Sequence, residues 1–173
     1  ILCDPRLSRF REQLVEHMMI VDLLQDAWLR RGERVDVIRS DVDVGYDLVL
    51  ESRRVVRHAQ LKTTWARSQT DKVNVSKELQ KHPSGCVIWA KVDRDENARV
   101  ALKYFVFGSA PGKSIGSLRQ FPIARHAKAD ATGVKGARPG LCVVRFTRFK
   151  PMLDAANLAD WLFGRPPRPA SQP

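Results

Sequence analysis

The chain has 173 residues, 43% hydrophobic and 28% charged, the balance of a soluble globular protein with one domain and a sizeable core. Thirty Lys and Arg against 19 Asp and Glu leave a net charge of +11, a surplus that favours polyanions such as nucleic acid. No apolar stretch approaches the ~18 residues of a membrane span, which excludes a helical membrane protein.

Residues Ser8 to Arg31 read as one long helix, entered at Asp4-Pro5 and stopped at Gly32. Phe10, Leu14, Met18, Val21, Leu24 and Trp28 recur at steps of three or four, an apolar stripe expected to face the core. Arg34 to Ser40 reads as a first strand, Asp41 to Gly45 as a turn, Tyr46 to Glu51 as a second strand and Val55 to Thr63 as a third. Ser52-Arg53-Arg54 is short enough for a hairpin, so the second and third strands are expected to pair antiparallel. Val73 to His82 starts extended and turns helical around Ser76-Lys77-Glu78-Leu79, before Pro83-Ser84-Gly85. Cys86 to Val92 is a strongly apolar, central strand, and Val100 to Phe107 another. Gly108 to Gly140 reads as a long basic loop with a short helix near Ser117 to Gln120. Leu141 to Phe149 is then a last strand and Met152 to Phe163 a closing helix.

This order implies an α/β fold, a mixed sheet flanked by helices, occupying residues 1–163 as a single domain. Residues 164–173 form a proline-rich tail with little to pack. Cys3, Cys86 and Cys142 have no disulfide or zinc spacing. With no leader pattern at Ile1 they suit a reducing cytoplasm, and Cys86 and Cys142 read as buried thiols.

The chemistry concentrates in Gly45-Tyr46-Asp47-Leu48-Val49-Leu50-Glu51 and His58-Ala59-Gln60-Leu61-Lys62. Alternation along a strand points Gln60 and Lys62 the same way, near Asp47 on the neighbouring strand. A carboxylate, an amide oxygen and a lysine on one face suit a hard divalent cation, Mg²⁺ or Mn²⁺, beside a phosphate. Magnesium needs only one or two carboxylates and keeps several waters. Asp47 is the principal candidate ligand, with Gln60 and the Leu61 carbonyl beside it, and Lys62 is placed to orient a water or offset developing charge. Each has a plainer reading: Asp47 as a turn former, Gln60 as a satisfied core amide, Lys62 as an ordinary strand-end lysine. Pro111-Gly112-Lys113-Ser114 lacks the first glycine of a phosphate loop, because position 107 is Phe107.

Gly45-Tyr46-Asp47 followed by Gln60-Leu61-Lys62, on a hairpin after a long helix, resembles the PD-(D/E)XK, or restriction-endonuclease-like, nuclease superfamily. The resemblance covers roughly residues 8 to 92, including a helix and a strand after the hairpin. The strings are also similar to those of a bacterial family sharing GYDLVLE and a QLK motif. The resemblance implies metal-dependent hydrolysis of phosphodiester bonds, with DNA as the favoured substrate. Two positions depart from the superfamily pattern. Tyr46 replaces the motif proline, and Gln60 stands where an Asp or Glu is usual. A neutral ligand holds Mg²⁺ less strongly than a carboxylate, so another acid has to compensate. Several branches place a Glu on the first helix, which makes Glu16 the candidate catalytic and metal-binding acid, with Glu12 its competitor one turn earlier.

Phosphate contacts are expected from Thr63 and Thr64 and from the basic stretch containing Lys113, Arg119, Arg125 and Lys128. A homodimer is compatible with this reading. The alternatives are a nucleic-acid-binding module of the same fold without catalysis, or a protein-interaction or immunity domain.

Overall fold

The structure, a computed structural model, describes residues 5–40, 42, 44–128 and 133–166. Helix α1 (Ser8–Asp26) follows a 3-10 turn at Pro5–Leu7 and runs on into a π-helical turn, Ala27–Arg31. Gly32 ends it in the left-handed region at φ 60°, which a residue without Cβ adopts freely.

The face that α1 buries is not the expected one. Val15, Met19, Leu23 and Ala27, four residues apart, are buried, while Phe10, Leu14, Val21, Leu24 and Trp28 are exposed. The helix is apolar on two sides, and polar anchors choose between them. Asp22 Oδ2 accepts from the Tyr104 hydroxyl at 2.6 Å, and Glu16 pairs with Arg39, both on the buried side. Those two contacts tie α1 to the sheet in one rotational setting.

The strands are β1 (Asp36–Arg39), β2 (Leu48–Ser52), β3 (Val55–Trp65), β4 (Lys72–Ser76), β5 (Gly85–Arg94), β6 (Val100–Gly108), β7 (Ile123–Arg125), β8 (Ala137–Arg145) and β9 (Lys150–Pro151). Helix α2 (Ala155–Phe163) follows, with the Asp154 carboxylate accepting from Asn157 N at its start. The fold is mixed α/β. Six strands form one sheet in the order β1-β2-β3-β5-β6-β9, and three form a second in the order β4-β8-β7. Within the larger sheet only β3 and β5 run parallel.

Residues alternate between the faces of the larger sheet. Leu48, Leu50, Ala59, Cys86, Ile88, Ala90 and Val92 pack against α1 and α2. Val87 and Trp89 face the other way, into a second core with Val75, Leu79, Leu118, Cys142, Val144 and Phe149. Trp89 meets Phe146 and Phe149 edge-on at 5.3 and 5.1 Å, and its Nε1 donates to Thr64 Oγ1. The layers are therefore helices, six-stranded sheet, three-stranded sheet.

Two sequence expectations change. The stretch Leu141 to Phe149 is not one strand: β8 ends at Arg145, a 3-10 turn spans Phe146–Arg148, and the chain rejoins the large sheet as β9. The basic stretch after Gly108 carries β7 and the start of β8, with only a 3-10 turn at Leu118–Gln120. The crossover between parallel β3 and β5 keeps the expected order, extended as β4 and then helical, the helical part being a 3-10 turn, Lys77–Lys81. Val73 and Val75 alternate with polar Asn74, a period of two that commits this segment to the second sheet.

Cys86 and Cys142 are buried free thiols, and burial pushes the pKa of each upward, so neither is set up as a nucleophile. No helix among the described residues is long and apolar enough to cross a membrane. Cys3 and residues 167–173 of the expected tail lie outside the described residues.

The β2–β3 hairpin closes as expected, with Ser52 opposite Val55 and Arg53-Arg54 as the two-residue turn. Both arginines have positive φ, 48° and 67°, the type I′ geometry that Asn-Gly fills most easily. Arg53 is compensated by an ion pair with Glu33. Left-handed backbone costs a non-glycine residue roughly 1–2 kcal/mol. Arg54→Gly is therefore expected to stabilise the protein by about 0.5–1 kcal/mol, read as a rise in the urea midpoint with unchanged m. An unchanged or lower midpoint would show that the turn carries no such strain.

Candidate functional site

Strand β3 outruns its neighbour. β2 pairs with it only from Val55 to Ala59, and β3 continues to Trp65. The last rung on this side is a backbone bond from Asp47 N to the Ala59 carbonyl, 2.9 Å. Beyond it, the edge of β3 that faced β2 is open, and the Asp47 side chain turns into the opening. Its Oδ2 accepts from Leu61 N at 2.6 Å, so the carboxylate stands where the next ladder bond would have been. Strand geometry turns the Leu61 carbonyl and the Thr63 N–H to this same edge.

The loop before Asp47 explains why the chain leaves the sheet here. Gly45 has φ 91°, and a Cβ on it would lie 2.7 Å from Glu78 Cβ and 3.0 Å from Leu79 N. Only glycine lets the loop press against the 3-10 turn in this conformation. Tyr46 then packs edge-on against His58 and His82, at 4.8 Å from each ring. Ser40 N donates to the Asp47 carbonyl at 2.9 Å, which ties the end of β1 to the same residue.

The open edge and the N-terminal half of α1 enclose a cleft of about 500 Å³. Arg9, Glu12, Gln13 and Glu16 line it from the helix, Arg39 and Ser40 from the end of β1, and Asp47, Leu61, Lys62 and Thr63 from the hairpin. Three carboxylates and three cations thus line the cleft. Glu16 is held by Arg39, and its side chain is largely buried.

Of the residues singled out in the sequence, Asp47, Leu61, Lys62, Thr63 and Glu16 come together at this cleft, and so does the competitor Glu12. Gln60 does not line it. Gln60 is buried at 8% exposure, and its Oε1 accepts from Ser76 N at 3.0 Å, joining β3 to the end of β4. The amide oxygen considered as a metal ligand is occupied by the backbone of the crossover. Thr64, on the same face of β3 as Gln60 and Lys62, does not line the cleft; its hydroxyl accepts from Trp89 Nε1. Lys113, Arg119, Arg125 and Lys128 are exposed, on the segment that leads through β7, and none of them lines the cleft. His58 gives its Nδ1 to a hydrogen bond with the Pro83 carbonyl, a structural role.

Arg9 and Arg39 were not singled out in the sequence. Arg39 sits at the end of a short strand, and nothing in its neighbours marks it. Only the pairing of β1 with β2, which sets Arg39 opposite Leu48, carries it to the cleft.

The donor set bears on the metal that the resemblance implies. Among the described residues no group of three or more His, Cys, Asp or Glu side chains stands ready to hold an ion. Asp47 with Glu12 or Glu16 still supplies the one or two carboxylates that magnesium requires, in a cleft with room for its waters. The chain matches no family model, and neither a curated protein nor a solved structure matches it.

The Gln60 bond yields a prediction. Gln60→Leu leaves Ser76 N buried without its acceptor and is expected to cost about 1–3 kcal/mol of stability, whereas Gln60→Glu keeps an acceptor and loses much less. Thermal or urea unfolding of both variants measures the difference. Equal losses would show that the bond is not what Gln60 provides.

Proposed function

We propose that this chain is a metal-dependent nuclease domain related to the PD-(D/E)XK superfamily, cutting phosphodiester bonds in DNA. The observation that carries the reading is the gathering of Asp47, Lys62, Glu12 and Glu16 at one cleft, with the Asp47 carboxylate oriented by the Leu61 N–H. Asp47 and a helix acid, Glu16 or Glu12, would hold Mg²⁺ or Mn²⁺, with the Leu61 carbonyl as a further oxygen donor. The ion supplies charge neutralisation at the phosphate and a more acidic water.

The chain's own residues have distinct roles in this reading. The Leu61 N–H orients the Asp47 carboxylate at the open edge of β3. Lys62 lies beside the attacking water and offsets charge as it develops on the phosphate. Arg9 and Arg39 contact non-bridging oxygens, and Thr63 donates its hydroxyl to the backbone of the strand. Gln60 acts from behind, holding β3 against β4 so that Lys62 keeps its register. The exposed cations Lys113, Arg119, Arg125 and Lys128 add affinity away from the cleft.

Incubating the protein with double- and single-stranded DNA and with RNA, each with Mg²⁺ or Mn²⁺, tests this. Cleavage is expected, with Asp47→Ala and Lys62→Ala each slower by at least roughly 10²-fold. Failure to cut any substrate, or variants as fast as the unmodified chain, would remove the catalytic reading.

A second reading is favoured by two specific contacts. Gln60 spends its oxygen on Ser76 N, and Glu16 is paired with Arg39, so two of the expected ligands already have protein partners. A non-catalytic nucleic-acid-binding module would keep the same surface. It predicts binding that is indifferent to divalent ions. If the four exposed cations are its main contacts, affinity should fall about 10²-fold between 50 and 200 mM salt. Fluorescence anisotropy with labelled DNA, with Mg²⁺ and with chelator, separates the two. Affinity that depends on Mg²⁺ and on Asp47 excludes the second reading.

A further inference from the structure

The outer face of α1 carries a feature that the cleft does not use. Phe10, Leu14, His17, Val21, Leu24 and Trp28 follow one another at steps of four, three, four, three and four. Leu7 extends the series by one more step of three. This is a heptad seam, the 3.5-residue repeat by which one helix packs along another. At about 100° per residue the seam lies on the side of the helix directly opposite Val15, Met19, Leu23 and Ala27, which face the core. It is open to solvent: Phe10 is 63% exposed, Trp28 78% and Val21 49%, and Leu7, Leu14 and Leu24 about two-fifths each.

We propose that a second copy of this chain docks here, α1 against α1, to form a homodimer. Single exposed apolar residues need no explanation, but four at heptad spacing on α1, continued by Leu7 in the turn before it and Trp28 in the π-helical turn after it, do. The repeat specifies the occupant's shape. A helix with the same 3.5-residue period fills the holes between these side chains, and the chain brings such a helix with every copy. A symmetric pair places identical seams against each other, the commonest arrangement in homo-oligomers.

The area is of the right size. Scaled by their exposures, the two aromatics and four aliphatics leave on the order of 600 Å² of side-chain surface open per copy, close to the ~800 Å² per partner of a stable interface. The polar residues beside the seam supply the rest. Arg11 and Gln25 flank it, giving a polar rim beside an apolar strip. His17 falls at the centre of the seam, where one polar residue fixes register at a cost in affinity. Its Nδ1 is already hydrogen-bonded to the Gln13 carbonyl at 2.7 Å, which lowers that cost.

The dimer does not rest on the nuclease reading. Glu12 and Glu16 project from the core-facing side of α1, so pairing through the seam leaves both clefts open.

Sedimentation velocity of the full chain over a range of micromolar concentrations tests the proposal. The expected result is a species of twice the chain mass. Leu14→Glu combined with Leu24→Glu should weaken association at least roughly hundredfold. Both residues face solvent, so circular dichroism should show the monomer still folded. His17→Leu should tighten association, an effect that a merely tolerated surface stripe would not produce. A monomer at every concentration would overturn the proposal, as would a dimer that the double variant leaves intact. Asp47→Ala should not alter the dimer, so a failed nuclease assay and a failed dimer assay are distinguishable.

Discussion

The Asp47 to Leu61 hydrogen bond is the contact on which the site depends. A side-chain carboxylate replaces a backbone rung at the point where β2 gives out. The Leu61 N–H on the open edge of β3 is thereby satisfied without the edge being closed. A sixth or seventh pair between β2 and β3 would fill the gap with backbone and leave no cleft. Gly45 makes the substitution feasible, because its positive φ and its close approach to Glu78 and Leu79 turn the chain out of the sheet just before Asp47. The charge-assisted bond to a backbone N–H also orients the carboxylate, so the residue that terminates the pairing is the one presented to the cavity.

Around that contact the protein couples its two cores. Gln60 reaches from β3 to Ser76 at the end of β4, and Trp89 reaches back from β5 to Thr64. The first bond crosses from the six-stranded sheet to the three-stranded sheet that covers its second face, and the second ties the two parallel strands of the large sheet together on that face. The crossover from β3 to β5 therefore works as a brace behind the hairpin, although it lacks a full helix. On the other face, α1 is fixed by Tyr104 and Arg39, and the same setting that brings Glu12 and Glu16 to the cleft turns the heptad seam outward. One rotational choice of α1 thus sets both the acids of the site and the proposed interface.

Much of this was legible in the sequence, because it is local. The hairpin, the central strand Gly85–Arg94 and the helix stop at Gly32 follow from short-range alternation and turn chemistry, and the closed hairpin brings Asp47 and Lys62 to one cleft. What was not legible depends on partners distant in the chain. The two apolar stripes of α1 cannot be ranked by period, since each is a good helical face; Asp22 and Glu16 decide, through residues far along the sequence. Gln60 reads alike as ligand or brace until Ser76 is placed beside it. The split of β8 from β9 needs two sheets, and a run such as Leu141 to Phe149 gives no sign of switching between them. Arg39 gains its position only through a pairing register.

The proposed chemistry reduces to whether a divalent ion settles between α1 and the open edge of β3. A crystal soaked in Mn²⁺, with anomalous difference density recorded above and below the manganese edge, examines that directly. A single peak within ligating distance of the Asp47 carboxylate, and absent from Asp47→Ala crystals, is the expected result. Density that never appears in the cleft, or that appears only at sites indifferent to Asp47, would contradict it.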